Sequence, residues 1–172
     1  MKQTSIWIYA GVLALCLVGS LALTAGGAGD ERSSIFGAEP PPGYRDWKLI
    51  SVAHEEGDLN DLRAVLGNDA AIEAYRAGKR PLPDGAIIAR LAWSYVPSEE
   101  NNKVFGRPQS FVAGAPTNVQ FMVKDSRKYA STGGWGFAQF NGGKPAEVMQ
   151  NTCFSCHEPV KARDFVFTRY AP

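Results

Sequence analysis

Three residues near the C-terminus carry the chemistry of this chain: Cys153, Cys156 and His157, within Asn-Thr-Cys-Phe-Ser-Cys-His-Glu. A Cys-x-x-Cys-His run attaches c-type haem, each thiol adding across one vinyl group while the imidazole ligates iron. On a helix the two cysteines stand one turn apart, and His157 follows at i+4 from Cys153. All three then face one macrocycle. Paired cysteines also serve as redox disulfides or zinc ligands. A thioredoxin-type pair precedes much of its sheet, whereas the chain ends soon after His157. A structural zinc site takes four ligands, and beyond the leader the fourth Cys or His candidate would be His54, far away in sequence. The reading is one haem c, bound through Cys153 and Cys156, with His157 as the metal ligand.

The late position of the motif bears on the other side of the iron. In common small electron-transfer cytochromes a methionine after the motif supplies the sixth ligand; here none follows. Met149 lies four residues before Cys153, on the same segment as the proximal histidine, and cannot reach the opposite side. Met122 and His54 are the remaining candidates, against ordinary roles as core filler and turn histidine. An iron with one strong ligand and an open or weakly filled sixth site is expected. It would bind a small ligand such as nitric oxide and could pass electrons to a redox partner.

The elements that must position these residues read mainly as strands. Strands are expected over 44–53, 86–95, 110–113, 118–123, 135–140 and 164–170, and 62–66 is a second short apolar run. Asn68 reads as the cap of a helix that Gly78 stops, and a short helix is expected after Asp125. A longer helical segment over about 146–160 would carry the haem motif. Residues 97–107 read as a polar loop, and Pro81, Pro83, Asp84 and Gly85 as a turn. The clearest strand, 86–95, puts Ile87, Ala89, Leu91, Trp93 and Tyr95 on one face. Arg90 projects from the other, among Ala86, Ile88, Ala92 and Ser94. Trp93, Phe121, Trp135 and Phe137 are expected in the core. The predicted class is α+β: a mainly antiparallel sheet with a few helices and a haem-bearing helical turn near the C-terminus.

The chain has 172 residues, 45% hydrophobic and 20% charged, which suits one domain plus a leader. Residues 1–25 carry Lys2, an apolar run from Ile6 to Leu23, and then small residues, the layout of a secretory leader. The alternative is an uncleaved anchor. Cys16 reads as leader filler, because Leu15 precedes it where a lipoprotein signal wants a small residue. In either case the domain is expected in the periplasm. Residues 26–43, rich in Gly, Ser and Pro, read as a linker with little capacity to pack, and the haem domain as 44–172. Loss of the leader removes Lys2 and leaves 17 basic against 17 acidic residues. This balance excludes a nucleic-acid partner.

Tyr44-Arg45-Asp46-Trp47, the Asp84-Gly85 turn, Val123-Lys124-Asp125-Ser126 and Val166-Phe167-Thr168 surround the haem motif. In this order they resemble the cytochrome P-460 family, which includes cytochrome c′-beta. The resemblance implies an antiparallel sheet with few helices and assembly as a homodimer. In hydroxylamine-oxidising members a lysine five residues beyond the turn glycine cross-links to the haem; that position here is Arg90. Arginine stays protonated and is a poor nucleophile, so the cross-link does not carry over. The acidic distal residue of those enzymes corresponds to Gln120, which cannot act as a carboxylate base. The resemblance therefore favours ligand binding over hydroxylamine or peroxide turnover. Arg90 could hydrogen-bond a bound oxyanion, peroxide or nitrogen oxide, or could pair with a haem propionate or an acidic side chain. Gln120 is a second distal candidate. A six-coordinate electron carrier is the remaining alternative.

Overall fold

The computed structural model describes residues 35–147 and 150–171. The expected leader over 1–25 with Cys16, the first part of the expected linker, and Met149 lie outside the described residues. Six strands form one antiparallel sheet in chain order: β1 (Lys48–Glu55), β2 (Asp61–Gly67), β3 (Ile87–Pro97), β4 (Phe111–Lys124), β5 (Trp135–Asn141) and β6 (Lys144–Pro145). Every strand pairs with its sequence neighbours, so short reversals suffice as connections. Among the described residues three α-helices complete the α+β fold: α1 (Asp69–Arg76), α2 (Glu99–Phe105) and α3 (Gln150–His157).

Alternation along the strands creates two buried faces. On the front face Val65, Ile88, Trp135 and Phe137 pack with Ala71, Ile72, Ala74 and Tyr75 of α1. Cys153 and Phe154 of α3, Met122 and the C-terminal Phe165, Val166 and Tyr170 join the same cluster. On the back face Leu66, Ala89, Leu91, Phe121, Ala138 and Phe140 are covered by Ile35, Phe36, Tyr44 and Trp47. The rings of Phe36, Tyr44, Trp47 and Phe140 all meet Phe121 edge-on, at centroid distances of 5.3–6.4 Å. Thus Ile35 and Phe36, within the stretch expected to pack little, close the back of the sheet.

Asn68 caps α1 as expected, accepting from the Ala71 N–H at 3.0 Å. The same oxygen accepts from Ile87 N–H, and the amide nitrogen donates to Gly85 O at 2.8 Å. One side chain thereby fixes both the helix and the start of β3.

Several local expectations are corrected. Residues 44–46 form a 3-10 turn, and β1 begins only at Lys48. The polar segment 97–107 contains α2, capped by the Ser98 hydroxyl and ended by Gly106 at φ 67°. The strands expected over 110–113 and 118–123 are one strand, β4, with register shifts around Trp93 on its partner β3. After Asp125 there is a turn and then a 3-10 helix at Ala130–Thr132, because the Asp125 carboxylate takes the Arg127 and Lys128 N–H groups locally. The haem-motif helix is shorter than expected and continues as 3-10 over Glu158–Arg163. Residues 164–170 are no strand: Asp164 and Phe165 both take positive φ, which breaks any extended run.

Candidate functional site

Short helix α3 has little to hold it by itself, and Gln150 docks it. Its side-chain carbonyl accepts from Phe137 N–H at 2.7 Å, and its amide donates to Phe137 O. β6 pairs only with Phe140 and Asn141, so these outward-facing groups of Phe137 are free for Gln150. The helix then carries Cys153 half-buried and Cys156 exposed, both as free thiols. Burial pushes the Cys153 thiol pKa up, and neighbouring Cys156 adds to the shift.

The His157 ring lies between Phe137 and Phe167, at 5.1 Å from each centroid. Its Nδ1 is 2.7 Å from the Phe165 carbonyl. A carbonyl can only accept, so Nδ1 carries the proton and the lone pair stands on Nε2. Burial lowers the His157 pKa, while the Phe165 bond opposes that shift. The result is a neutral imidazole of fixed tautomer, the form that ligates a metal.

Behind Phe165 lies a second constellation. Lys124 Nζ, from the end of β4, is 2.6 Å from Asp164 Oδ1, with the two side chains only 7% and 6% exposed. Asp164 Oδ2 accepts from Leu82 N–H at 2.8 Å, and the Asp164 carbonyl accepts from the Trp135 indole at 2.8 Å. Lys124 also donates to Gly133 O and stands 4.9 Å from the Trp135 ring centre. These contacts hold Asp164 and Phe165 at φ 58° and 61°, a region costing non-glycine residues roughly 1–3 kcal/mol. The Phe165 ring lies directly over Gly133, where a Cβ would overlap it.

One pleat along the front face from Phe137 and Met122 is a polar row. Arg90 on β3, Gln120 on β4 and Gln139 on β5 are register partners. Arg90 donates to Asp61 Oδ2 at 2.8 Å, to Gln120 Oε1, and to Asn118 Oδ1 at 3.3 Å. Gln120 passes the chain on to Gln139 at 2.6 Å, and Gln139 to Asn141 at 3.0 Å. On the other side Arg63 binds Asp61 Oδ1 at 2.6 Å and Glu55 at 3.1 Å. Burial, reinforced by Arg63, lowers the Arg90 pKa, and Asp61 opposes this. The buried Arg90 Nε has no hydrogen-bond partner.

The structure therefore brings His157, Arg90 and Gln120 to one face of one sheet. His54 does not join them. It pairs with Leu62, one residue on from Asp61 and therefore on the opposite face of the sheet, and stacks on Tyr95 at 3.9 Å. Met122 is partly buried and packs against the front core, as filler would.

Residues 41–168 match the family model described as Cytochrome P460. The chain belongs to the cytochrome P460 family. No curated protein matches it. Membership makes it a haem-binding cytochrome, and the residues present fit that group: two free thiols one turn apart, an imidazole with Nε2 unengaged, and aromatic walls. The orphaned Arg90 Nε adds a donor still lacking an acceptor. Sequence reasoning missed Asp61, Gln150 and Asp164. Asp61 begins β2 in a polar turn and shows no periodic signal of burial, and Gln150 reads as one helix residue among others. Asp164 opens a run that reads as a strand, though Asp is among the few residues at ease with positive φ.

Proposed function

We propose that this P460-family cytochrome is exported to the periplasm and carries one haem c. Cys153 and Cys156 would attach it, His157 would be its axial ligand, and the sixth site would stay open to a small ligand such as nitric oxide. The observation that carries this reading is the single imidazole offered with its Nδ1 committed to Phe165, while His54 stands on the opposite face of the sheet. When bound, the haem supplies an iron that takes small ligands and exchanges electrons.

The chain's own residues do the rest. Phe137 and Phe167 wall the imidazole and limit water. Arg90 offers fixed positive charge and an unengaged Nε–H for a partly negative ligand atom. Gln120 and Asn118 hold that guanidinium in place. The carboxylate that Gln120 lacks is present nearby as Asp61. Its two oxygens are already engaged, Oδ1 by the Arg63 guanidinium and Oδ2 by that of Arg90. This supports ligand binding, with electron transfer, over turnover of hydroxylamine or peroxide.

Export is supported by the leader layout of residues 1–25. A homodimer is supported by the exposed Val104, Phe105, Phe111 and Val112 around the far end of β3 and β4. Ferric electron paramagnetic resonance and absorption spectra, before and after nitric oxide, test the reading. A high-spin ferric signal and a nitric-oxide-induced spectral change are expected. A purely low-spin signal from two strong axial ligands, unaltered by nitric oxide, would sink the reading.

A further inference from the structure

The direction of the Phe165 carbonyl depends on the backbone at Asp164 and Phe165, and neither left-handed residue is a glycine. Aspartate tolerates that region; phenylalanine does so rarely. Something outside the turn must therefore hold it. Both Asp164 oxygens are engaged, by Lys124 Nζ at 2.6 Å and Leu82 N–H at 2.8 Å, and the Asp164 carbonyl is engaged by the Trp135 indole. Lys124 of β4, Leu82 of the loop before β3 and Trp135 of β5 thus converge on one residue, seven positions from the imidazole it serves. On the far side, the Phe165 ring rests on Gly133, where no side chain intervenes.

We infer that the buried Lys124–Asp164 ion pair is the positioning device of the axial ligand: it locks the 164–165 turn that aims the Phe165 carbonyl at His157 Nδ1. The inference rests on His157 being the haem ligand. Its consequence is electronic as well as geometric. A well-aimed acceptor on Nδ1–H gives the imidazole more anionic character, strengthens its bond to iron and favours the ferric state. A loosened acceptor does the reverse.

The test uses purified holoprotein and the Asp164→Asn variant. Asparagine keeps the side-chain shape and the tolerance of positive φ but ends the ion pair. The expected result is a lower ferrous iron–imidazole stretching frequency in resonance Raman and a raised midpoint potential. Acid should detach the imidazole at about one pH unit higher, matching a roughly tenfold weaker ligand bond. Ile72→Val, in the same core but away from the turn, should lower thermal stability and leave the Raman band where it was. A folded Asp164→Asn holoprotein with the wild-type band and potential overturns the inference. If that variant does not take up haem, Asp164→Glu carries the same test, since one extra methylene displaces the carboxylate while keeping its charge; an unmoved band again overturns it. His157→Gly separates the premise from the inference. A haem spectrum unchanged in His157→Gly overturns both, whereas an altered one together with a silent Asp164→Asn overturns the positioning role alone.

Discussion

Lys124–Asp164 and Asp61–Arg90–Arg63 occupy the same face of the sheet, with the row Ile88, Met122 and Phe137 between them, yet they differ in how their hydrogen bonds are filled. In the first, one cation meets one anion: the Lys124 ammonium and the Leu82 N–H take up the two carboxylate oxygens, and the Trp135 indole takes the adjoining carbonyl. In the second, two cations share one buried carboxylate, the Asn118 and Gln120 amide oxygens accept from another Arg90 N–H group, and Arg90 Nε is left over. A closed cluster holds shape; a cluster with a spare donor can meet something that arrives. The proximal side of the site has the first kind and the polar row has the second.

The comparison is broken most forcefully at Lys124. Lys124→Met would leave the Asp164 carboxylate buried without its cation, a loss of about 3–5 kcal/mol. Urea unfolding of the holoprotein should show it as a lower midpoint. An unchanged midpoint would mean that the pair contributes no framework. Arg90→Met should behave differently. Asp61 keeps Arg63, so the stability loss is smaller, about 1–3 kcal/mol, while the dissociation rate of nitric oxide from the ferrous protein should rise. If Arg90→Met costs as much stability as Lys124→Met and leaves ligand dissociation alone, the two clusters are the same kind of object.

How much of this was legible beforehand follows from the range of each signal. The haem motif is local, and three residues within one turn declare it. Strand β3 is local too, and its alternation correctly put Arg90 on a face apart from Leu91 and Trp93. The partners of Arg90 are another matter. Asp61 is an ordinary polar residue at a strand start, and only the pairing Val65↔Arg90 brings its strand alongside. Asp164 failed for a related reason. Its neighbours Phe165, Val166 and Phe167 look like a strand, and the contacts that force positive φ come from Lys124, Leu82 and Trp135, far off in sequence. Helix α2 was hidden by composition, since its Glu-Glu-Asn-Asn start reads as loop; its Ser98 cap was the overlooked signal.

Gly133 sharpens the proximal half of the comparison without altering any charge. Gly133→Ala would adopt φ 66° with a side chain, costing roughly 1–2 kcal/mol, and its Cβ would push the Phe165 ring away. The expected thermal midpoint falls less than in Lys124→Met, yet the His157 environment changes, visible as a shifted Soret band. A lowered midpoint with an untouched Soret band would mean that Phe165 can move without disturbing its carbonyl.

The smallest expected effect concerns how the Lys124 end of β4 is anchored. Asp84 accepts from the Ser126 hydroxyl at 2.7 Å and the Ser126 N–H at 2.8 Å, while Gly85 N–H donates to Lys124 O at 2.8 Å. Hydrogen bonding by the Ser126 side chain, then by its backbone, holds the Asp84 pKa below the ordinary 3.8. A carboxylate with a depressed folded pKa binds its proton less readily when folded than when unfolded. Its contribution to stability is therefore complete above the ordinary value and is lost as pH falls through the lower folded one. Asp84 is fully exposed, so solvent screens the effect and the slope is shallow. Asp84→Asn should flatten the acid limb of the stability curve slightly below pH 3.8 and leave the neutral midpoint nearly unchanged, since an amide oxygen still accepts from Ser126 N–H. Thermal melts across that acid range compare the two proteins. Identical acid limbs would mean that the Asp84 clamp contributes nothing to the strand end from which Lys124 reaches Asp164.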